Sequence, residues 1–194
     1  MLLCSEILIA IYRFLPLLQN RLYMAKLYIN KDIVADKDKM ENWYLTGEEG
    51  LSFPDIQNFL SWIDPNDHVI DIEIHSCGGD AVEGYAIYDA LRASGKQISC
   101  TAVGRCASMA TVILLAAAKE RRFAYPHAKF LIHKPYMASY DGDLDLETLE
   151  SIKSNLESEK NKMLALYVER TGSEASVIEA QMNKAGWFGG ETAK

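Results

Sequence analysis

Residues 69 to 103 read as a complete β-α-β unit, and that unit decides the fold class. Val69-Ile70-Asp71-Ile72-Glu73-Ile74-His75 alternates, so Ile70, Ile72 and Ile74 share one face of a strand and Asp71, Glu73 and His75 the other. Gly78-Gly79 follows, and Asp80 with Glu83 forms a capping-box-like helix start. The helix runs to about Ala93, with Val82, Tyr85, Ala86, Tyr88, Ala90 and Leu91 expected to be buried to varying degrees, and Gly95 closes it. Ile98 to Val103 is the next strand, and Gly104 is expected to turn the chain out of it. A strand, a helix and a second strand in this order make a right-handed crossover between parallel neighbours.

The flanks extend the pattern. Lys26 to Val34 supplies a first strand, and Ala35 to Lys39 a charged turn. The aromatic run Trp43-Tyr44-Leu45 reads as a strand or edge segment within Glu41 to Gly50. Ser52 before Pro54-Asp55 starts a helix with Ile56, Phe59, Leu60 and Ile63 on one face, ended by Pro65-Asn66-Asp67. Met109 to Lys119 reads as a buried helix, and 122–124 and 129–133 as short strands. After a polar loop from Tyr136 to Gly142, a helix spans about Leu144 to Arg170 with Leu149, Ile152, Leu156, Met163, Leu166 and Tyr167 as its apolar stripe. At about 40 Å it is long for one small domain, so part of it is expected to pack on another subunit. A last helix covers Ser176 to Lys184. Strands alternating with helices define an α/β protein with a largely parallel sheet.

Charge and cysteine usage narrow the function classes. Lys and Arg total 20 against 27 Asp and Glu, and no basic stripe is present, which excludes an ordinary nucleic-acid binder. Cys4, Cys77, Cys100 and Cys106 include no Cys-x-x-Cys and fit no standard metal spacing, so reduced thiols in a cytoplasmic setting are expected, with no metal or cofactor. Residues 1–23 are strongly apolar but carry Glu6, Arg13 and Pro16, fall short of a membrane span, and precede a natural start at Met24. They are read as a leader whose status the residues leave open, and 24–194 as the domain.

Loops after parallel strands collect on one edge of the sheet. That edge receives Gly78-Gly79, Ser108 in Gly104-Arg105-Cys106-Ala107-Ser108-Met109, and His133 in Phe130-Leu131-Ile132-His133. A serine hydroxyl needs a base within hydrogen-bond reach, and imidazole, which titrates near neutrality, fits that task. The Met109 N–H at a helix start and the Gly79 N–H are candidate donors to an oxyanion. Singly, a serine before a helix is an N-cap, a histidine at a strand end is structural, and Gly-Gly is a turn; their conjunction carries the reading. His68, His75 and His127 are read as structural.

These segments resemble the ClpP-type caseinolytic serine peptidases, especially the shorter phage and prophage members, from about Lys26 to the C-terminus. The family's Ser-Pro-Gly-Gly stands as Ser76-Cys77-Gly78-Gly79, its Ala-Ile-Tyr-Asp as Ala86-Ile87-Tyr88-Asp89, its Gly-x-Ala-Ala-Ser-Met as Gly104-Arg105-Cys106-Ala107-Ser108-Met109, and its Ile-His-x-Pro as Ile132-His133-Lys134-Pro135. The resemblance implies a ClpP/crotonase-like βαβ spiral with a protruding handle helix, Ser108 as nucleophile, His133 as base, and Gly79 and Met109 as oxyanion donors. It further implies homo-oligomeric rings, an extended polypeptide substrate, and an ATP-driven unfoldase or a phage head protein as partner.

Two positions depart from the pattern. Cys77 replaces a proline, which is expected to loosen the Gly78-Gly79 loop. The family's third catalytic residue, an acid, falls on Ala185 in Lys184-Ala185-Gly186-Trp187. Three readings follow: a weak Ser–His dyad, an enzyme borrowing Asn183, Glu179 or Glu191, or a catalytically impaired ring or scaffold protein. An acyl-CoA enzyme of the crotonase class ranks behind them, because no CoA-phosphate cluster is evident. The family continues past the position of Lys194 with a short helix and strand, so a shortened C-terminus is expected.

Overall fold

The parallel core predicted from alternation is present in the computed structural model, which describes residues 24–191 and 193. The leader expectation for residues 1–23 lies outside them. Strands β1 (Met24–Ile29), β2 (Val69–Ser76) and β3 (Gln97–Ala107) run parallel. β4 (Arg122–Ala124) and β5 (Lys129–Leu131) then share the far edge of β3, pairing with its first and second halves. A two-residue β6 (Phe188–Gly189) pairs antiparallel with β5. The helices are α1 (Lys39–Thr46), α2 (Phe53–Trp62), α3 (Ala81–Ala93), α4 (Met109–Leu114), α5 (Leu146–Thr171) and α6 (Ala175–Lys184).

Alternation in β2 is realised as read: Ile70, Ile72 and Ile74 are fully buried. Asp71 and Glu73 face the other way and pair with Lys26 of β1 at 2.8 and 2.7 Å. The core continues through Ile29 of β1, Ile87 and Leu91 of α3, and Val112 and Ile113 of α4. α5 extends about 39 Å, yet among its described residues only Met163 and Tyr167 are buried. Its first turns therefore protrude, and Leu149, expected on an apolar stripe, is exposed.

Several expectations are corrected. Trp43-Tyr44-Leu45 lies in helix α1, not a strand; Gly47, left-handed at φ 79°, closes it with an N–H to the Trp43 carbonyl. Aromatic β-propensity misleads there because all three side chains are solvent-exposed, and strand preference for such residues comes from packing. β3 does not end at Gly104 but continues to Ala107 through a bulge between the Ile74–Ala102 and Ser76–Cys106 pairs. At this bulge only glycine fits position 104, because a side chain there would collide with the His75 ring, whose Nδ1 accepts the Arg105 N–H at 3.3 Å. α4 stops at Leu114 rather than Lys119, since the following alanines turn towards a short 3-10 segment. Val82 is 77% exposed, lying on the solvent side of α3.

The Asp80 side chain caps α3 by accepting the Glu83 N–H, but the Glu83 carboxylate crosses to the Phe53 N–H at the start of α2 instead of closing a box. At that same start, the fully buried Ser52 donates its hydroxyl to Asp36 at 3.0 Å while its N–H donates to Asp55 at 2.9 Å. Replacing Ser52 with alanine deletes the hydroxyl bond and keeps the backbone one. A loss of about 1–2 kcal/mol in denaturant unfolding is expected; an unchanged midpoint would show the bond contributes nothing.

Candidate active site

Ser108 sits where β3 passes into α4, and its backbone is strained: φ is 51° and ψ is −128°. A non-glycine residue held there costs roughly 1–3 kcal/mol and persists only when its surroundings enforce it. Three bonds do so. The Ser108 N–H donates to the Leu131 carbonyl at 2.8 Å, and the Ser108 carbonyl accepts the Thr111 N–H at 2.9 Å and the Thr111 hydroxyl at 2.5 Å. Thr111 Oγ1 lies 2.5 Å from the Tyr167 hydroxyl of α5. With the Thr111 proton committed to Ser108, the Tyr167 O–H donates to Thr111. Burial pushes the Tyr167 phenol well above its ordinary range, so it stays a donor. No spacing signal marks this Tyr167–Thr111–Ser108 chain in the sequence; Tyr167 reads there as ordinary stripe.

The glycine loop packs directly on this turn. A side chain on Gly78 would meet the Ala107 carbonyl at 2.6 Å, the Met109 N at 2.7 Å and Ser108 Cβ at 2.8 Å. Gly79 has φ 144°, and a side chain there would overlap the Ile33 carbonyl oxygen. The loop is braced despite Cys77. Ile33 N–H donates to the Gly78 carbonyl and Asp80 N–H to the Ile33 carbonyl, both at 2.8 Å. The Ser76 hydroxyl accepts the Gly78 N–H at 3.0 Å and donates to the Lys31 carbonyl at 2.7 Å. Among the described residues, neither the Gly79 nor the Met109 N–H donates a hydrogen bond. The Met109 amide adjoins Ser108, and the Gly79 amide follows Gly78, which packs on Ser108.

His133 follows β5, which pairs with β3 through Ala107 and Leu131. Ser108 and His133 thus lie just past the ends of adjacent parallel strands, on the edge that also holds the glycine loop. They are not hydrogen-bonded to one another in this state. The His133 Nδ1 lies 2.6 Å from the Lys134 carbonyl oxygen, and the Tyr136 ring stands 5.5 Å from the imidazole at 40°. Beside them Pro135 and the α5 residues Leu149, Ile152 and Leu156 line a groove of about 420 Å³ rimmed by Lys134 and Lys153.

β6 brings the C-terminal segment against β5, where Phe130 pairs with Phe188. Ala185 is the C-cap of α6, left-handed at φ 46°. Of the three substitutes considered, Glu179 is committed to Lys160, whose ammonium holds its carboxyl below the usual range. Asn183 and Glu191 are exposed, and neither bonds His133 among the described residues. Of the thiols, burial pushes Cys100 up to about 12, an inert state, while Cys77 is exposed.

A strained serine near open amides, one strand from an imidazole, on a parallel βαβ spiral with a protruding helix, defines the class: a ClpP-like α/β protein. Comparison agrees. The structure superposes on a mutant of ClpP1 from Listeria monocytogenes with a TM-score of 0.68, 21% identity, and coverage of 93% of this chain and 90% of that one, a likeness of fold. Residues 55–194 match the family described as Clp protease, and the chain belongs to that family. It is 30% identical over 140 residues to the ATP-dependent Clp protease proteolytic subunit 1 of Chlamydia abortus, covering 70% of each chain. It is 31% identical over 137 residues to the corresponding proteolytic subunit of Porphyromonas gingivalis, covering 69% of this chain and 60% of that one. Among the described residues, no helix is long and apolar enough to cross a membrane.

Proposed function

We propose that the chain is a serine endopeptidase acting on unfolded or extended polypeptide through an acyl-enzyme. The observation that carries this is the strained Ser108 turn with the open Gly79 and Met109 amides beside it. In the reaction, His133 Nε2 takes the Ser108 hydroxyl proton as Oγ bonds the scissile carbonyl carbon, and the resulting oxyanion accepts from the two N–H groups. The C–N bond then breaks and His133 returns the proton to the leaving amine. Water, deprotonated by the same imidazole, attacks the ester and releases Ser108. Every group is supplied by the protein and water, so no metal or cofactor enters.

The groove between Pro135 and α5 receives an apolar substrate side chain. The chain works in the cytoplasm as a homo-oligomeric ring, with α5 as handle. An ATP-driven unfoldase supplies substrate, a reading supported by relatives whose names call them ATP-dependent; for the phage-like subtype the substrate would be a head or scaffold protein.

The competing reading is a catalytically silent ring or scaffold protein, and Ala185 at the position of the family's acid favours it. Treatment with a fluorophosphonate and mapping of the adduct separates them. Labelling at Ser108 is expected, slowed at least about 10³-fold by His133→Ala. Assembled protein without an adduct would establish the scaffold reading instead.

A further inference from the structure

We propose that the main-chain carbonyl of Lys134 is the third member of this site. It accepts a hydrogen bond from the Nδ1–H of His133, holds the imidazole as the Nδ1–H tautomer, and leaves Nε2 bare to serve Ser108. The inference rests on the peptidase reading above and names the positioning group that the missing acid leaves unassigned.

The argument begins with what a carbonyl can do. It only accepts, so at 2.6 Å the Nδ1 of His133 must carry the proton. A neutral imidazole has one proton, which makes Nε2 the acceptor, the state a general base for a serine requires. Among the described residues no other hydrogen bond engages Nδ1: the position of the family's acid holds Ala185, and Glu179 is held by Lys160. The carbonyl's direction is itself constrained. Lys134 precedes Pro135, and a residue before proline is confined to extended backbone. The Tyr136 ring bounds the imidazole as well.

Magnitude separates this from a simple loss of the acid. Replacing the acid of a triad by a neutral group that stabilises the wrong tautomer costs about 10⁴ in kcat. With the tautomer already correct, a carbonyl fails only to place a negative charge near the imidazolium. Ala185→Asp is therefore expected to raise the Ser108 labelling rate about tenfold, not 10⁴-fold. Aspartate also suits the left-handed backbone at 185 better than alanine does.

The test is the tautomer itself, read by long-range ¹H–¹⁵N spectra of the full chain with ring-labelled histidine, at a pH where the imidazole is neutral. The His133 signals are assigned by their loss in His133→Gln. The expected result is a protonated Nδ1 and bare Nε2, unchanged in Ser108→Ala; a proton on Nε2, or shared equally, overturns the proposal. Pro135→Ala, which releases the Lys134 backbone, is expected to lower the Nδ1–H share and slow labelling about tenfold, with Ala185→Asp restoring the rate. Slower labelling with an unmoved tautomer would mean that Pro135 acts structurally and would count against the carbonyl. The two readings fail differently. Labelling at Ser108 with an Nε2–H imidazole removes the carbonyl alone, whereas an Nδ1–H imidazole without any labelling removes the peptidase and the carbonyl's role with it.

Discussion

A Ser108→Gly chain is expected to melt higher than its parent and to react with no fluorophosphonate. Both effects have one source. The parent holds a side chain at φ 51°, where glycine sits without steric penalty. Relief of roughly 1–3 kcal/mol of strain, less about 0.5–1 kcal/mol for the freer unfolded glycine, leaves a gain near 1 kcal/mol. For a chain of this length that is about 2–4 °C in Tm. Ser108→Ala keeps the strain and loses only the hydroxyl, so its Tm should match the parent while hydrolysis of an unfolded polypeptide falls at least about 10³-fold. A glycine variant that melts lower would mean that the turn is not strained. One that still labelled would move the nucleophile elsewhere.

Gly79→Ala should be the most damaging single methyl in the loop. The added carbon would run into the Ile33 carbonyl oxygen, and φ 144° is itself closed to alanine. The Ile33 bridge must open, at a cost of about 3 kcal/mol or more, and the Gly79 N–H, the proposed oxyanion donor, is displaced with it. Loss of one oxyanion donor costs about 10²–10³ in kcat. Gly95→Ala is the control. Gly95 also has positive φ, 69°, but nothing lies within 4 Å of an added side chain. It should lose about 1 kcal/mol and label at the parental rate. Equal losses of activity in the two variants would mean that the Gly79 amide has no special place.

The elements that sequence reading found are those whose pattern is local. The 70/72/74 alternation, the Ser52-Phe53-Pro54-Asp55 start and the Thr171-Gly172 stop each carry their cause within a few residues, and each reappears in the fold. The edge gathering Gly79, Ser108, Met109 and His133 was legible too, because parallel crossovers leave little choice. What escaped depends on partners distant in sequence. Only glycine fits at 104 because His75, twenty-nine residues earlier, occupies the space beside it. Glu83 caps α2 rather than its own helix because the Asp80 N–H is already given to the Ile33 carbonyl, while the Phe53 N–H is open to it. The register that sets Phe188 beside Phe130 comes from a two-residue strand too short to leave a periodic trace.

The tie from Tyr167 through Thr111 to the Ser108 carbonyl joins the root of α5 to the strained turn. Arg170, one turn further on, donates to the Leu115 and Ala117 carbonyls just past the end of α4, so the last turns of α5 are pinned to that helix. Anything that grips the exposed outer turns of α5 therefore has a bonded route to the backbone at Ser108.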